Sequence, residues 1–174
     1  GLYSKNMKAV IEQTKNLHLK QAMARQLWIE NNAVKGIKDE TGFEYSAKAI
    51  VIATGTFLQG IVHIGASEIP AGRAGEFSSI DLAQDIIGLG FNMGRMKTGT
   101  PPRLHADSID FSQFITHSTD DTPKPFSFSS KTVTNPMVPS YRGHTNPLTR
   151  EIVQNNLKYS ALYGGYIKGK SARY

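Results

Sequence analysis

The stretch Ala49-Ile-Val-Ile-Ala-Thr-Gly-Thr-Phe-Leu-Gln-Gly60 constrains the fold of this chain more than any other. Ala49 to Ala53 are apolar without alternation, the pattern of a strand covered on both faces of a sheet. The run stops at Thr54-Gly55-Thr56, small residues that let a backbone come close to a ligand. Ligands of open α/β sheets sit just past the carboxyl ends of strands. Short apolar strands ending in glycine are also common in ordinary cores. On its own residues the stretch is therefore either the edge of a binding site or a core strand and a turn.

Composition narrows the class. A chain of 174 residues with 39% hydrophobic and 20% charged content suits one globular domain or pieces of two. No apolar run approaches a membrane span and no signal segment opens the chain, so a cytoplasmic protein without membrane attachment is expected. The absence of cysteine excludes disulfides and thiolate metal sites within these residues. The net charge of +6 is unevenly placed: residues 1–90 carry nine Lys/Arg and nine Asp/Glu, residues 91–174 eleven and five. Such asymmetry fits a surface for a polyanion such as RNA, or a solvated basic face with no partner.

In chain order, Tyr3, Met7, Val10 and Ile11 recur at helical spacing and predict a short amphipathic helix. Residues 26–47 read as an antiparallel meander, with Glu30-Asn31-Asn32-Ala33 and Thr41-Gly42 as its turns. After Ile61-Val-His-Ile-Gly65, Pro70-Ala-Gly-Arg-Ala-Gly75 reads as a loop feeding a helix. That helix has Ile80, Ala83, Ile86 and Ile87 on its apolar side, a capping-box-like start at Ser78 and Asp81, and an end at Gly88 and Gly90. A helix start after a glycine-rich loop offers backbone N–H groups to an anion, although most such helices bind nothing. The dinucleotide fingerprint G-x-G-x-x-G does not occur.

Phe91 to Met96 reads as another strand, closing on Lys97-Thr-Gly-Thr-Pro-Pro-Arg103. That heptad suits a phosphate or carboxylate, and its prolines mark a boundary. Residues 104–145 are polar and broken by Phe111, Phe114, Phe126, Phe128 and Tyr141. These aromatics read as a thin core with short strands and long loops, or less readily as stacking partners for bases. Asn146-Pro147 opens a second helix through Leu148, Ile152, Val153 and Leu157. The five histidines show no metal-ligand spacing, and His117 with Asp120 and Asp121, or His144 with Thr145, are weak acid–base pairs. No metal site is expected. Both ends read as internal boundaries of a longer protein.

Taken together and in order, Gly55-Thr-Phe-Leu-Gln-Gly60, His63-Ile-Gly65, Gly72-Arg-Ala-Gly75, Lys97–Arg103, Ile109-Asp-Phe111, His144-Thr-Asn146 and Arg173-Tyr174 carry a family resemblance. The sequence resembles, over essentially its whole length, an internal piece of the MnmG (GidA) family of tRNA uridine 5-carboxymethylaminomethyl-modification enzymes. The resemblance implies an α/β (mixed α+β) fold: part of a glutathione-reductase-like FAD-binding domain with a β-meander, over residues 1–100, and an inserted small basic α+β domain facing tRNA and NAD, over 101–174. It implies FAD and NADH as cofactors, methylenetetrahydrofolate as one-carbon donor, tRNA and the GTPase MnmE as partners, and a homodimer of the full-length protein. The activity implied is installation of an aminomethyl or carboxymethylaminomethyl group at C5 of wobble uridine.

By position, the resemblance puts Ala24, Ser79 and the Thr54-Gly55-Thr56 element near FAD, and Ser171, Ala172, Arg173 and Tyr174 at the start of an NAD-binding segment. The charge map then implies phosphate contacts among Lys97, Arg103, Arg142, Arg150, Lys168 and Lys170. The family's N-terminal glycine fingerprint and both functional cysteines are absent from these residues, so no catalytic residue is assigned and the isolated chain is expected to be inactive. Two other readings stand beside this one: a related folate- and FAD-dependent tRNA (uracil-5-)methyltransferase, and a non-catalytic RNA-binding module.

Overall fold

A computed structural model describes residues 1–171 of the chain. It divides into two compact units, Gly1–Arg95 and Met96–Tyr174. The architecture is mixed α/β, built from small sheets that are mostly antiparallel.

The first unit opens with helix α1 (Leu2–Gln13), where the helical spacing of Tyr3, Met7, Val10 and Ile11 places it; none of its residues is buried. The meander follows as β1 (Ala24–Glu30), β2 (Ala33–Asp39) and β3 (Glu44–Ser46), in that order and antiparallel. Its first turn places Asn31 and Asn32 at φ +50° and +60°. Those values define the tight hairpin turn that asparagine tolerates and that matches strand twist. The second turn is organised by Asp39, a buried carboxylate. Its oxygens accept from the backbone N–H groups of Thr41 and Phe43 and from the hydroxyls of Thr41 and Tyr45, at 2.6–3.1 Å. The Thr41 hydroxyl is the main reason the Asp39 carboxyl sits below its ordinary value, overcoming burial, which pushes it up. Burial in turn raises the Tyr45 phenol, and its bond to Asp39 adds to that.

A second three-stranded sheet consists of β4 (Ile61–Ile64), β5 (Ser67–Arg73) and β6 (Glu76–Phe77). It is followed by helix α2 (Ile80–Gly88). Leu82, Ala83 and Ile86 of α2 are buried and, with Ala71, form the apolar core. Burying a leucine or isoleucine stabilises by about 1.5–3 kcal/mol. Gly90, at φ +87°, ends α2 with its N–H donating to the Ile87 carbonyl.

Four local expectations need correction. The first is the strand from Ala49 to Ala53. These residues form no strand, and Val51 is 90% exposed. A two-faced buried strand exists only where neighbours supply a hydrogen-bond ladder and cover both faces, and no described strand pairs with this run. The second is the loop at Pro70–Gly75. Its first four residues belong to β5, with Pro70 opposite Ile61, and the turn is confined to Ala74-Gly75. The third is the capping box at Ser78 and Asp81. Ser79 is the N-cap and makes no side-chain capping bond; the Ser78 hydroxyl donates to the Phe57 carbonyl at 3.2 Å, and Asp81 pairs with Arg25. Apolar Ile80 and Ile87 are exposed, so the buried face of α2 lies one residue round, on Leu82. The fourth is the strand from Phe91 to Met96, of which only Met96 is extended and paired.

The second unit has little regular structure. Strand β7 (Met96–Lys97) begins it, and two short 3₁₀ turns at Ala106–Ser108 and Phe111–Gln113 lead to β8 (Ile115–His117). β8 pairs antiparallel with β9 (Ser140–Arg142), and β10 (Lys170–Ser171) pairs parallel with β7. Helix α3 (Pro147–Asn156) starts at the expected cap. Asn146 accepts from the Thr149 N–H at 2.9 Å, and the Thr149 hydroxyl accepts from the Asn146 N–H. Phe111 packs on Tyr141 at 4.4 Å between centroids, and Phe114 lies over Gly143, but all three rings stay exposed, so the thin core expected of the spaced aromatics is only a surface cluster. Phe126 and Phe128 take no part in it and are fully exposed. The Asp110 carboxyl is lowered by the hydroxyl of Ser112.

Candidate functional site

The candidate site lies where β1 meets the start of α2. A β-bulge between Ala24 and Gln26 leaves Arg25 as the extra residue of the strand. Bulges of this kind re-aim side chains. Arg25 Nε donates to Asp81 Oδ2 at 2.7 Å, linking residues 56 apart in the chain. One turn further along α2, Asp85 Oδ2 accepts from the Leu27 N–H at 2.8 Å. Strand and helix are thus latched by two carboxylates on one helix face.

Two grooves share the Arg25–Asp81 pair as a wall. One, of about 400 Å³, is lined by the polar and charged residues Gln26, Lys38, Asp39, Gln84 and Asp85 together with Gly42. The other, of about 370 Å³, is lined by Met23, Ala24, Phe77, Ser78, Ser79 and Ile80 together with that pair. It therefore brings Ala24 and Ser79 together. Ser79 is fixed by its backbone, which donates to the Phe57 carbonyl and accepts from the Gln59 N–H, both at 2.9 Å. Its hydroxyl makes no capping bond. The α2 start consequently presents first-turn N–H groups that no side chain caps.

Thr54, Gly55 and Thr56 do not line this groove. They form a tight turn with Gly55 at φ +57°, and the Thr56 hydroxyl donates to the Gly72 carbonyl at 2.6 Å. That bond holds the Phe57 ring against Gly72, where any Cβ would run into the ring. The segment from Phe57 to Gln59 in turn carries Ser79, so the Thr54–Thr56 turn supports the groove from behind. Arg25, which the sequence reading did not single out, and Asp81, expected only as part of a capping box, are the charged pair of the site. Their signal was unreadable beforehand because it depends on a contact between distant residues.

The six cations expected at phosphates all belong to the second unit. Lys97 and Lys170 lie on the paired strands β7 and β10, Arg142 on β9 and Arg150 on α3. Arg103 and Lys168 lie in exposed irregular segments. None forms an ion pair among the described residues. Ser171 is described only as the last residue of β10, and Ala172, Arg173 and Tyr174 lie outside the described residues. His117 Nδ1 contacts the Ser118 carbonyl at 2.8 Å, and no described bond joins it to Asp120 or Asp121. Among the described residues no cluster of three or more His, Asp or Glu could hold a metal ion. No helix among them is long and apolar enough to cross a membrane.

All 174 residues match one protein family, described as glucose inhibited division protein A. The chain belongs to the GidA family. A GidA-family relative from Thermodesulfovibrio yellowstonii, named tRNA uridine 5-carboxymethylaminomethyl modification enzyme MnmG, is 51% identical over 99% of this chain and 28% of its own length. A second MnmG, from Syntrophobacter fumaroxidans, is 47% identical over 99% of this chain and 27% of its own length. The crystal structure of Aquifex aeolicus GidA superposes with a TM-score of 0.86 at 40% identity, covering 99% of this chain and 30% of that one. A GidA-related protein from Thermus thermophilus gives a TM-score of 0.50 at 34% identity over 53% of this chain and 42% of that one. The chain thus spans a little over a quarter of the MnmG proteins it matches, and its mixed α/β fold is that of part of GidA.

Proposed function

We propose that this chain is the segment of a flavin-dependent tRNA-modifying enzyme that carries one edge of the FAD site and part of the tRNA surface. The observation that carries the reading is the meeting of Ala24 and Ser79 on one groove, in a chain of the GidA family. The residues fit one end of such a cofactor. The groove is at the lower end of the roughly 300–1,000 Å³ typical of small-molecule sites. It combines apolar Ala24, Phe77 and Ile80 with an uncapped helix start, while its guanidinium, Arg25, is already paired with the Asp81 carboxylate in the same groove. The apolar side chains suit a nucleoside, and the free helix N–H groups a phosphate beside it. They would hold that part alone; the glycine-rich turn that usually receives the pyrophosphate is not in these residues.

When bound and reduced by NADH, FAD would supply the electrons that fix a one-carbon unit from methylenetetrahydrofolate on the uridine. This chain's own residues orient the nucleotide and, in the second unit, attract tRNA. In the full-length protein, a homodimer working with the GTPase MnmE, a small amine (ammonium or glycine) would add its nitrogen to that carbon, so that the product would be the (carboxymethyl)aminomethyl group at C5 of wobble uridine. Ser171 to Tyr174 would open the NAD-binding segment. The isolated chain would bind FAD weakly at most and have no activity. The related methyltransferase reading is less favoured, because the GidA family model matches the whole chain and the relatives that cover 99% of it carry the MnmG name.

The test is chemical. Full-length protein, incubated with its GTPase partner, GTP, folate donor, NADH, unmodified tRNA and an amine donor, should yield carboxymethylaminomethyluridine with glycine or aminomethyluridine with ammonium, by nucleoside mass spectrometry. Formation of 5-methyluridine instead would replace this reading with the methyltransferase one. A separate arm replaces Ser79 by Tyr to fill the groove; flavin content should fall at least about tenfold, and full retention would remove the groove from the FAD site.

A further inference from the structure

Phe126 and Phe128 stand apart from every other described aromatic in the second unit. They are 106% and 110% exposed, fully in solvent, whereas Phe111, Phe114 and Tyr141 pack together around β8 and β9. Their setting is organised. The Ser130 N–H donates to the Ser127 carbonyl at 3.3 Å, closing a turn with Phe128 inside it. The Ser127 hydroxyl accepts from the Ser129 N–H at 3.2 Å and pairs with the Ser129 hydroxyl at 2.8 Å. Pro123 and Pro125 restrict the approach to Phe126. Both rings therefore project from a short, locally tied segment, separated by a small serine.

From Thr122 to Arg150 the charge around them is one-sided, with Asp120 and Asp121 standing just before that stretch. Residues 122–150 contain Lys124, Lys131, Arg142 and Arg150 and not one aspartate or glutamate. Lys124 and Lys131 bracket the ring pair. Exposed rings interleaved with small polar residues and flanked by cations are what a single-stranded nucleic acid needs: faces for its bases and charge for its phosphates. A purely apolar partner would leave those lysines unanswered.

We propose that Phe126 and Phe128, with Lys124 and Lys131, form a stacking platform for unpaired bases of an RNA loop. The inference deepens the tRNA reading and rests on it for the identity of the RNA. It names a contact that acts by stacking, distinct from the six cations already assigned to phosphates.

The experiment uses the full-length protein and three probes: unmodified tRNA, a fluorescein-labelled oligouridine strand, and the same strand paired with oligoadenosine. Replacing both rings by alanine should weaken oligouridine and tRNA binding about tenfold per ring, with the duplex little affected. Phe→Trp at both positions should restore affinity. Replacing Lys124 and Lys131 by Ala should reduce the slope of log affinity against log salt by about 1–2. Unchanged oligouridine affinity in the alanine variant would overturn the proposal. So would a fall in Tm with affinity retained, which would instead assign the rings to packing within the full-length protein. Failure of wild-type protein to bind tRNA, with oligouridine still bound through the rings, would overturn the tRNA reading and leave an RNA-binding module.

Discussion

The two units differ most in what they bury. Every buried side chain named above, apolar or polar, lies in Gly1–Arg95: Ala71, Leu82, Ala83 and Ile86, with Asp39 and Ser78. Among the described residues of Met96–Tyr174 none is buried, although that unit holds ten Lys/Arg against five Asp/Glu. The first unit is a small packed scaffold in which a helix and a bulged strand define a groove. The second is a basic surface held by short ladders, one aromatic pair and a capped helix. A site that must position a small cofactor needs the first kind of architecture. A surface that meets a large, flexible polyanion can work with the second.

The sharpest way to break this contrast is to truncate one apolar helix residue in each unit. Leu82→Ala, at a position 5% exposed, should cost about 3 kcal/mol in urea unfolding. Ile152→Ala on α3, at a position 55% exposed, should change stability by no more than about 0.5 kcal/mol. Equal losses would mean that the second unit has a core of its own. Next in size is Gly72→Ala, whose methyl would press on the Phe57 ring. A cost of about 2 kcal/mol is expected, and displacement of Phe57 should also loosen Ser79. A neutral outcome by thermal melting would show that the ring is free to move.

Asn146→Ala probes the second unit where its order is local. Loss of the cap on α3 should lower helicity by circular dichroism and cost about 1 kcal/mol. The smallest expected effect is confined to acid. Because the folded Asp39 carboxyl titrates below its ordinary value of 3.8, its stabilisation is complete above that value and is lost as pH falls through the depressed folded one. Asp39→Asn should flatten that part of the pH profile. A carbon-detected NMR titration placing Asp39 at or above 3.8 would contradict the hydrogen-bonded turn.

What could be read beforehand follows from range. The hairpin at Asn31-Asn32, the cap at Asn146-Pro147 and the α2 terminus at Gly90 depend on a few adjacent residues, and all three stand where local chemistry puts them. The pairing of Arg25 with Asp81 depends on residues 56 apart, and no local pattern encodes it. The same limit misled the reading of Ser78, whose hydroxyl is drawn off the helix by the distant Phe57 carbonyl. Ala49–Ala53 failed for a related reason: its composition specifies a covered strand, but the cover must come from other strands. Of the residues expected at the cofactor, Ala24 and Ser79 meet on one groove, while Thr54–Thr56 stand behind it.

That unpaired run has a consequence for handling the molecule. Ala49-Ile-Val-Ile-Ala carries no charge, no proline and high β-propensity, and its backbone is not tied into any ladder. Segments of this kind template pairing between molecules, copy against copy, and seed aggregates. Concentrated solutions of the chain alone should cloud through this run rather than through the basic unit. Val51→Lys, at a position already in solvent, should raise the concentration at which light scattering begins while leaving the groove at Ala24 and Ser79 intact.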